Sequence, residues 1–264
     1  MVKGKSSSSS RWLQRQFKDP LVKQSKLDDY RARSAYKLIE IDNKYNFLKR
    51  KSAIVSDINF KAIIYNKYVI LLQVDLGACP GAWSQVASQR IGTSQLSNDE
   101  LVTWNHGMVL AVDKEVMRGL PGVFVIDRAD ITSSETLKRI YSFLSQRKVD
   151  AVISDMAPNA TGMHKLDHER IMELANTAFQ VAQNCLKTNG TFLCKIFQGS
   201  LLNGKQTTLS VMAHCRSGLP LTLYDVGFKH ELKTSFESVQ EIRCQSTRKE
   251  STEMYLLAQQ YKED

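Results

Sequence analysis

Four charged side chains in four separate segments are the residues of this sequence best suited to chemistry. They are Lys37 in Arg33-Ser34-Ala35-Tyr36-Lys37-Leu38, Asp155 in Ser154-Asp155-Met156-Ala157-Pro158-Asn159, Lys195 in Phe192-Leu193-Cys194-Lys195-Ile196-Phe197, and Glu253 in Ser251-Thr252-Glu253-Met254-Tyr255. A positioned lysine can take a proton or steer a hydroxyl, and carboxylates beside it can orient it. Asp155 and Lys195 each close an apolar run that reads as a parallel strand, at the edge where open α/β sheets bind ligands. Either residue alone is as readily a solvated strand end. Taken with the turn Asp75-Leu76-Gly77-Ala78-Cys79-Pro80-Gly81-Ala82-Trp83, they point to one shared cleft.

That turn reads as the end of a strand followed by the start of a helix. Gly77 and Gly81 let the backbone turn sharply and approach a ligand closely. A dinucleotide fold would use Gly-x-Gly-x-x-Gly with free N–H groups for a pyrophosphate, but Pro80 removes one donor and the third glycine is missing. S-adenosylmethionine carries no phosphate, so the loss is harmless there. Gly77, Pro80, Gly81 and Ala82 are therefore candidate cofactor contacts. Asp113 follows the next apolar run, Leu110-Ala111-Val112, where a doubly wound fold places a carboxylate for ribose hydroxyls. The polar stretch Gly92–Gly107 delays it. Asp130, after a third strand, suits an adenine amino group or a helix N-cap.

Methyl transfer is an in-line displacement in which positioning supplies much of the acceleration. A ribose hydroxyl is a poor nucleophile and must lose its proton during or after attack. Lysine accepts that proton only when neutral, against a reference pKa near 10.4. A second cation (Lys37) would favour the neutral form, and the carboxylates Asp155 and Glu253 would oppose it. The sequence leaves the net sign open. Lys195 is the expected base, with Lys37, Asp155 and Glu253 orienting it and the ribose; in the weaker version Lys195 only steers the hydroxyl.

The elements that must position these groups follow from the rest of the chain. Its 264 residues are 42% hydrophobic, enough for one α/β domain with appendages. The 36 Lys+Arg against 27 Asp+Glu give a net charge of +9, which suits a polyanionic partner or a solubilising surface. Five cysteines (Cys79, Cys185, Cys194, Cys215 and Cys244) lack Cys-x-x-Cys spacing. That argues against a zinc site or a disulfide framework and for buried thiols. No run is apolar enough to span a membrane. Residues 1–10 read as a disordered basic arm or a short presequence, with Lys3, Lys5, Arg11 and no acid before Asp19.

From 11 to 49 the chain is basic, with Leu27, Tyr30, Ala35, Leu38 and Ile41 at helical spacing. One or two amphipathic helices that contact RNA are expected. Strands are expected at Tyr68–Leu76, Met108–Val112, Val123–Ile126, Ala151–Ser154, Thr191–Phe197, Val239–Cys244 and Met254–Ala258. Helices are expected at Trp83–Arg90, Ser134–Ser145 and Asp167–Leu186. The last carries the stripe Ile171, Leu174, Ala175, Ala178, Val181, Ala182 and Cys185. Alternation of the two element types predicts a mostly parallel sheet with helices on both faces, closed by an antiparallel last pair. Val55–Gln73 and Leu201–Val226 fit poorly, because long segments without periodicity are unusual inside a compact domain.

These residues resemble the Lys-Asp-Lys-Glu tetrad of the FtsJ/RrmJ family of ribosomal RNA 2′-O-methyltransferases. Ser10–Gln14, Arg31–Lys37, Asp75–Trp83, Ser154–Asn159, Lys195–Gly199 and Ser246–Ala258 match the pattern in order. Asn159-Ala160-Thr161-Gly162 with Asp167-His168, and Arg248-Lys249-Glu250-Ser251, look most like the animal mitochondrial branch. The resemblance implies a Rossmann-like α/β sheet of seven strands with the last pair reversed, and S-adenosyl-L-methionine held by Gly81, Trp83, Asp113, Asp130 and Asp155. It implies no metal, and a uridine ribose in large-subunit ribosomal RNA as substrate. Arg11, Lys18, Arg31, Arg33, Arg248 and Lys249 would grip phosphates. A monomer acting on ribosomal RNA or a pre-ribosomal particle in mitochondria is expected, with the cytoplasm as the alternative compartment. Val55–Gln73 and Leu201–Val226 interrupt the family spacing; we read them as translated introns or gene-model errors, against the alternative of RNA-binding loops. A ribosome-assembly factor with lost or secondary methylation is the competing function.

Overall fold

In a computed structural model the described residues are 16–48, 72–94, 107–198 and 221–263, with the backbone alone for 221–225. The elements are α1 (Pro20–Leu27), α2 (Ala35–Tyr45), β1 (Leu72–Leu76), α3 (Ala82–Ile91), β2 (Met108–Val112), β3 (Val123–Ile126), α4 (Ser134–Leu144), β4 (Val149–Ser154), α5 (His164–Cys185), β5 (Leu186–Phe197), α6 (Leu221–Ser235), β6 (Phe236–Ile242) and β7 (Glu253–Tyr261). The seven strands form one sheet in the order β3-β2-β1-β4-β5-β7-β6. Strands β1 to β5 pair in parallel, and β7 pairs antiparallel with both β5 and β6.

β6 and β7 form the expected antiparallel last pair, with β7 alone reversed and β6 running with the other five. The connections explain it. A crossover containing α6 separates β5 from β6 and permits parallel direction, whereas β6 and β7 are joined by a ten-residue loop, 243–252, that forces them antiparallel. β7 then fills the slot between β5 and β6.

Buried on both sides, β1 and β2 are covered at every position, as central parallel strands require. One face packs on α4, α5 and α6 through Ile140, Ile171, Ala178, Phe179, Phe228 and Leu232, against Val74, Leu110, Phe192 and Leu256. The other packs on α2 and α3 through Ala35, Leu38, Ile41, Trp83 and Val86, against Val109, Ile153, Leu193 and Leu257. Helices thus cover both faces. Leu27, assigned to the apolar stripe of the N-terminal segment, is instead 80% exposed at the end of α1.

Both suspect segments touch regular elements at their edges. Leu72 and Gln73 open β1 and pair with Met108 and Val109, and 221–226 belong to α6. Those residues belong to elements of the domain. Residues 55–71 and 201–220 lie outside the described residues. Among the described residues no helix is long and apolar enough to cross a membrane. Cys185, Cys194 and Cys244 are buried and Cys79 is half-buried; burial pushes the Cys185 thiol up to about 12.

Phe179 is 1% exposed and meets the rings of Phe192, Phe228 and Phe236 at 5.6, 6.0 and 6.1 Å. It ties α5 to β5, α6 and β6. Phe179→Ala is expected to cost about 3–5 kcal/mol of unfolding free energy in urea titration. Asp75 is completely buried in β1, where its Oδ2 accepts a hydrogen bond from the Ser84 hydroxyl at 2.6 Å. Burial, reinforced by the charges of Asp155 and Asp113, raises its pKa to about 7 from 3.8. The folded state therefore holds a proton that the unfolded state releases. The resulting stability is complete below about pH 4 and is lost as pH rises through about 7. Asp75→Asn should remove that loss, gaining on the order of 3 kcal/mol on the wild type between pH 5 and pH 8.

Candidate active site

Strand register brings the candidate residues to one edge. Leu76 lies beside Val112 and Ser154, and Ser154 lies beside Cys194. The next residue on each strand is therefore Gly77, Asp113, Asp155 and Lys195. Across the antiparallel pair, Lys195 stands opposite Tyr255 and Phe197 opposite Glu253. Strand alternation puts Lys195 on the face of Leu193, and Glu253 and Tyr255 on the face of Leu257. That is the side covered by α2 and α3. Lys37 enters from α2, whose Ala35, Leu38 and Ile41 anchor it to the sheet. Glu40 fastens the same helix to the β6–β7 loop by accepting from the Gln245 and Ser246 amides at 2.6 and 3.2 Å.

The four charges form two ion pairs. Lys37 Nζ lies 2.6 Å from Glu253 Oε1, and Lys195 Nζ lies 3.0 Å from Asp155 Oδ1. Lys195 also donates to the Asp155 carbonyl at 2.6 Å, so two of its three hydrogens are engaged. The Tyr255 hydroxyl joins the pairs, at 2.8 Å from Asp155 Oδ1 and 3.3 Å from Glu253 Oε1. A phenol has one hydrogen, and the shorter contact identifies Asp155 as its main acceptor. Burial and the two carboxylates push the Tyr255 hydroxyl well above its usual range, which keeps it a donor. Lys195 and Glu253 are only 7% and 9% exposed. Burying such charges is tolerable only while each has its partner.

Two cavities flank this cluster. The larger, about 560 Å³, is lined by Gly77, Asp113, Asp130 and Asp155, with Val112, Ile131, Met156 and Leu174 as apolar wall. Gly77 sits at φ +75° and a Cβ there would run into Met156, so the turn closes tightly on β4. Asp113 takes the Cys79 amide on Oδ2 at 2.8 Å and the Glu115 amide on Oδ1 at 2.7 Å. Asp130 accepts from the Thr132 amide and hydroxyl at 2.9 and 2.6 Å, and these hydrogen bonds lower its pKa. It is not the helix N-cap, a role taken by Ser133 for α4. Carboxylates that already hold amides retain lone pairs for ligand hydroxyls or an amino group. A mixed wall of this size suits a nucleoside with a cationic centre.

Four expected cofactor contacts lie off the cavity wall. Pro80, Gly81, Ala82 and Trp83 instead knit the turn to the N-terminal helices. The Trp83 indole donates to the Ser34 carbonyl at 2.9 Å and packs 5.6 Å from the Tyr255 ring. Gly81 has φ +108°, and a Cβ there would meet Leu120 at 2.7 Å and Arg31 at 3.1 Å. Ala82 is buried against the α2 side. The Pro80 carbonyl accepts from Arg31 at 3.0 Å.

The smaller cavity, about 340 Å³, is lined by Lys37 and Glu253 together with Gln16, Arg33, Ser34, Thr247 and Arg248. The tetrad thus stands between the two, with Asp155 on the larger and Lys37 and Glu253 on the smaller. Arg33 and Arg248 both pair with Asp19, so two of the expected phosphate contacts meet at this cavity. Lys18 and Lys249 are exposed nearby in sequence. Arg31 is placed differently: its guanidinium donates to the carbonyls of Pro80, Arg118 and Gly119 at 3.0, 2.6 and 2.6 Å. Those bonds fasten the α1–α2 link to the glycine turn. Arg11 lies outside the described residues.

Tyr255, Asp19, Thr247, Arg170 and Glu173 were not singled out in the sequence, yet each lines or braces a cavity. For Tyr255 a signal existed. It is two residues from Glu253 in a strand, hence on the same face.

Comparison with known proteins agrees with this geometry. Residues 30–216 match the model of the FtsJ-like methyltransferase family. The chain is 37% identical over 251 residues to ribosomal RNA large subunit methyltransferase E of Rhodopseudomonas palustris strain HaA2, covering 95% of this chain and 84% of the relative. It is 37% identical over 256 residues to the protein of that name from Wolbachia sp. subsp. Brugia malayi, covering 97% and 90%. The fold is shared with a crystal structure assigned as a Plasmodium falciparum ribosomal RNA methyltransferase, at TM-score 0.61 and 24% identity over 88% of this chain and 98% of that one. The chain belongs to the FtsJ-like methyltransferase family, and its methyl donor is S-adenosylmethionine, which the acid-bearing walls of the larger cavity fit.

Proposed function

We propose that this protein methylates a ribose 2′-hydroxyl of a uridine in large-subunit ribosomal RNA. The observation that carries the proposal is the Tyr255-bridged tetrad standing between two cavities, one suited to a nucleoside cofactor and one edged with arginine. The relatives named as ribosomal RNA large subunit methyltransferases support the choice of acceptor.

S-adenosylmethionine, when bound, supplies an electrophilic methyl carbon on a sulfonium. The chain's part is to hold the acceptor oxygen in line with that carbon and to receive its proton. Lys195 is the proposed base and acts as the neutral amine: its two hydrogens are then held by the Asp155 carbonyl and carboxylate, which leaves the nitrogen lone pair for the hydroxyl proton. With the methyl donor bound, the acceptor oxygen would displace the sulfur from the methyl carbon, and the hydroxyl proton would pass to the neutral Lys195 amine. Asp155 orients Lys195 and Tyr255 holds Asp155. Glu253, clasped by Lys37 and 3.3 Å from the Thr247 hydroxyl, bounds the acceptor side. Acids outnumber bases on the cofactor side, and Arg33 and Arg248 edge the acceptor side.

The basic, acid-free N-terminal stretch supports a mitochondrial address as part of the same proposal. Uptake of the full chain by isolated mitochondria checks it; exclusion would assign the cytoplasm.

The activity test is labelled-methyl transfer to large-subunit ribosomal RNA followed by mapping of ribose methylation. Lys195→Ala should slow single-turnover transfer by about 10²–10⁴-fold while cofactor affinity holds. Undiminished transfer by that variant would remove Lys195 from the chemistry. Arg31→Ala should weaken cofactor binding and lower stability by about 2 kcal/mol through three lost carbonyl bonds, with the salt slope of RNA binding unchanged. Arg33→Ala and Arg248→Ala should each reduce that slope by about one.

A further inference from the structure

Asp19 is a buried acid that the reaction does not use. It is 7% exposed and caps α1, accepting the Leu21 amide on Oδ1 at 3.0 Å. Its other oxygen, Oδ2, takes Arg248 Nε at 3.0 Å and Nη2 at 2.8 Å, and pairs with Arg33 Nη1. Arg33 also donates to the Ser246 carbonyl in the β6–β7 loop. One carboxylate thus gathers three segments that lie far apart in the chain: the start of α1, the approach to α2 and the loop before β7.

A helix cap requires only Oδ1. The second oxygen serves two guanidinium groups that would otherwise repel each other, and both line the smaller cavity beside Lys37 and Glu253. Burial raises the carboxyl's pKa, but the hydrogen bonds and charges of Arg248 and Arg33 outweigh it and hold the group below the usual range. The carboxylate therefore stays charged near neutrality. Each guanidinium has five N–H donors, so both keep donors beyond those that Asp19 takes. Paired guanidinium forks match a phosphate's geometry.

We infer that Asp19 is a positioning residue for RNA, holding Arg33 and Arg248 as a fork for one backbone phosphate next to the acceptor ribose. This rests on the proposed RNA acceptor. The phosphate contact sets where along the strand the ribose enters, and the adjacent tetrad acts on it. Asp19 touches neither reacting atom; its effect reaches the substrate through the two arginines.

Asp19→Asn separates this role from the helix cap, because asparagine caps helices as well as aspartate does but cannot pair with arginine. Methyl transfer to a large-subunit ribosomal RNA transcript is measured with Asp19→Asn, Asp19→Ala, Arg248→Ala and the Asp19→Asn/Arg248→Ala double variant. Asp19→Asn should raise KM for RNA about tenfold, with kcat and cofactor affinity near wild type. Asp19→Ala should raise KM similarly and also lower Tm, since the cap is lost. In the double variant KM should stay near that of Arg248→Ala alone, because the two residues act as one unit. An unchanged or lowered KM for Asp19→Asn would overturn the inference, as would KM effects that multiply in the double variant. A wild-type protein that transfers no methyl to RNA would overturn the proposed function itself, and with it the phosphate fork.

Discussion

Buried charge near the end of β5 and at the start of β7 is the constraint on which this structure turns. Lys195 and Glu253 are almost wholly enclosed, and each is tolerable only because a partner arrives from another element. Asp155 comes from the end of β4 and Lys37 from α2, while Tyr255 ties the two pairs with one hydroxyl. Removing Asp155 or Lys37 leaves Lys195 or Glu253 buried without its ionic partner, a penalty of about 3–5 kcal/mol. That demand fixes the parallel register of β4 on β5, the insertion of β7 between β5 and β6, and the seating of α2 over the sheet.

The glycine turn and the N-terminal helices answer the same demand from the other side. Trp83 reaches back to the Ser34 carbonyl and packs on Tyr255, while Arg31 crosses the turn to three carbonyls. The residues that make the turn recognisable thus serve partly as masonry between α2 and the cluster.

Much of this was legible in the sequence, for identifiable reasons. The central strand β2 and the edge strand β3 are both uninterrupted apolar runs, so each falls where its run begins and ends. The long stripe of α5 declared its buried face. Asp155 and Lys195 were legible as a pair because two charges close two apolar runs beside one glycine turn, although either alone reads as a solvated strand end. The rest depended on tertiary contacts. Nothing local in Leu221–Ser235 marks a helix; its amphipathic signal is blurred by Gly227, and packing of Phe228 and Leu232 on the sheet supplies what local pattern lacks. The reversal of β7 alone depends on the α6 crossover, which begins inside the aperiodic stretch Leu201–Val226. The family resemblance names Trp83 as a cofactor contact, and no local pattern shows that its indole also donates to the Ser34 carbonyl. Asp19 and Arg31 are single charges in a basic stretch, and no spacing rule could tell a carbonyl lock or an arginine clamp from a phosphate contact.

Energetic coupling between Lys37 and Glu253 tests the central claim most directly. The measurement is single-turnover methyl transfer by Lys37→Ala, Glu253→Ala and the double variant, with cofactor saturating. If the two side chains form one unit of the cluster, the double variant should be about as slow as the slower single variant. Rate losses that multiply would show that Lys37 and Glu253 act separately, and the single buried cluster would no longer account for the chemistry.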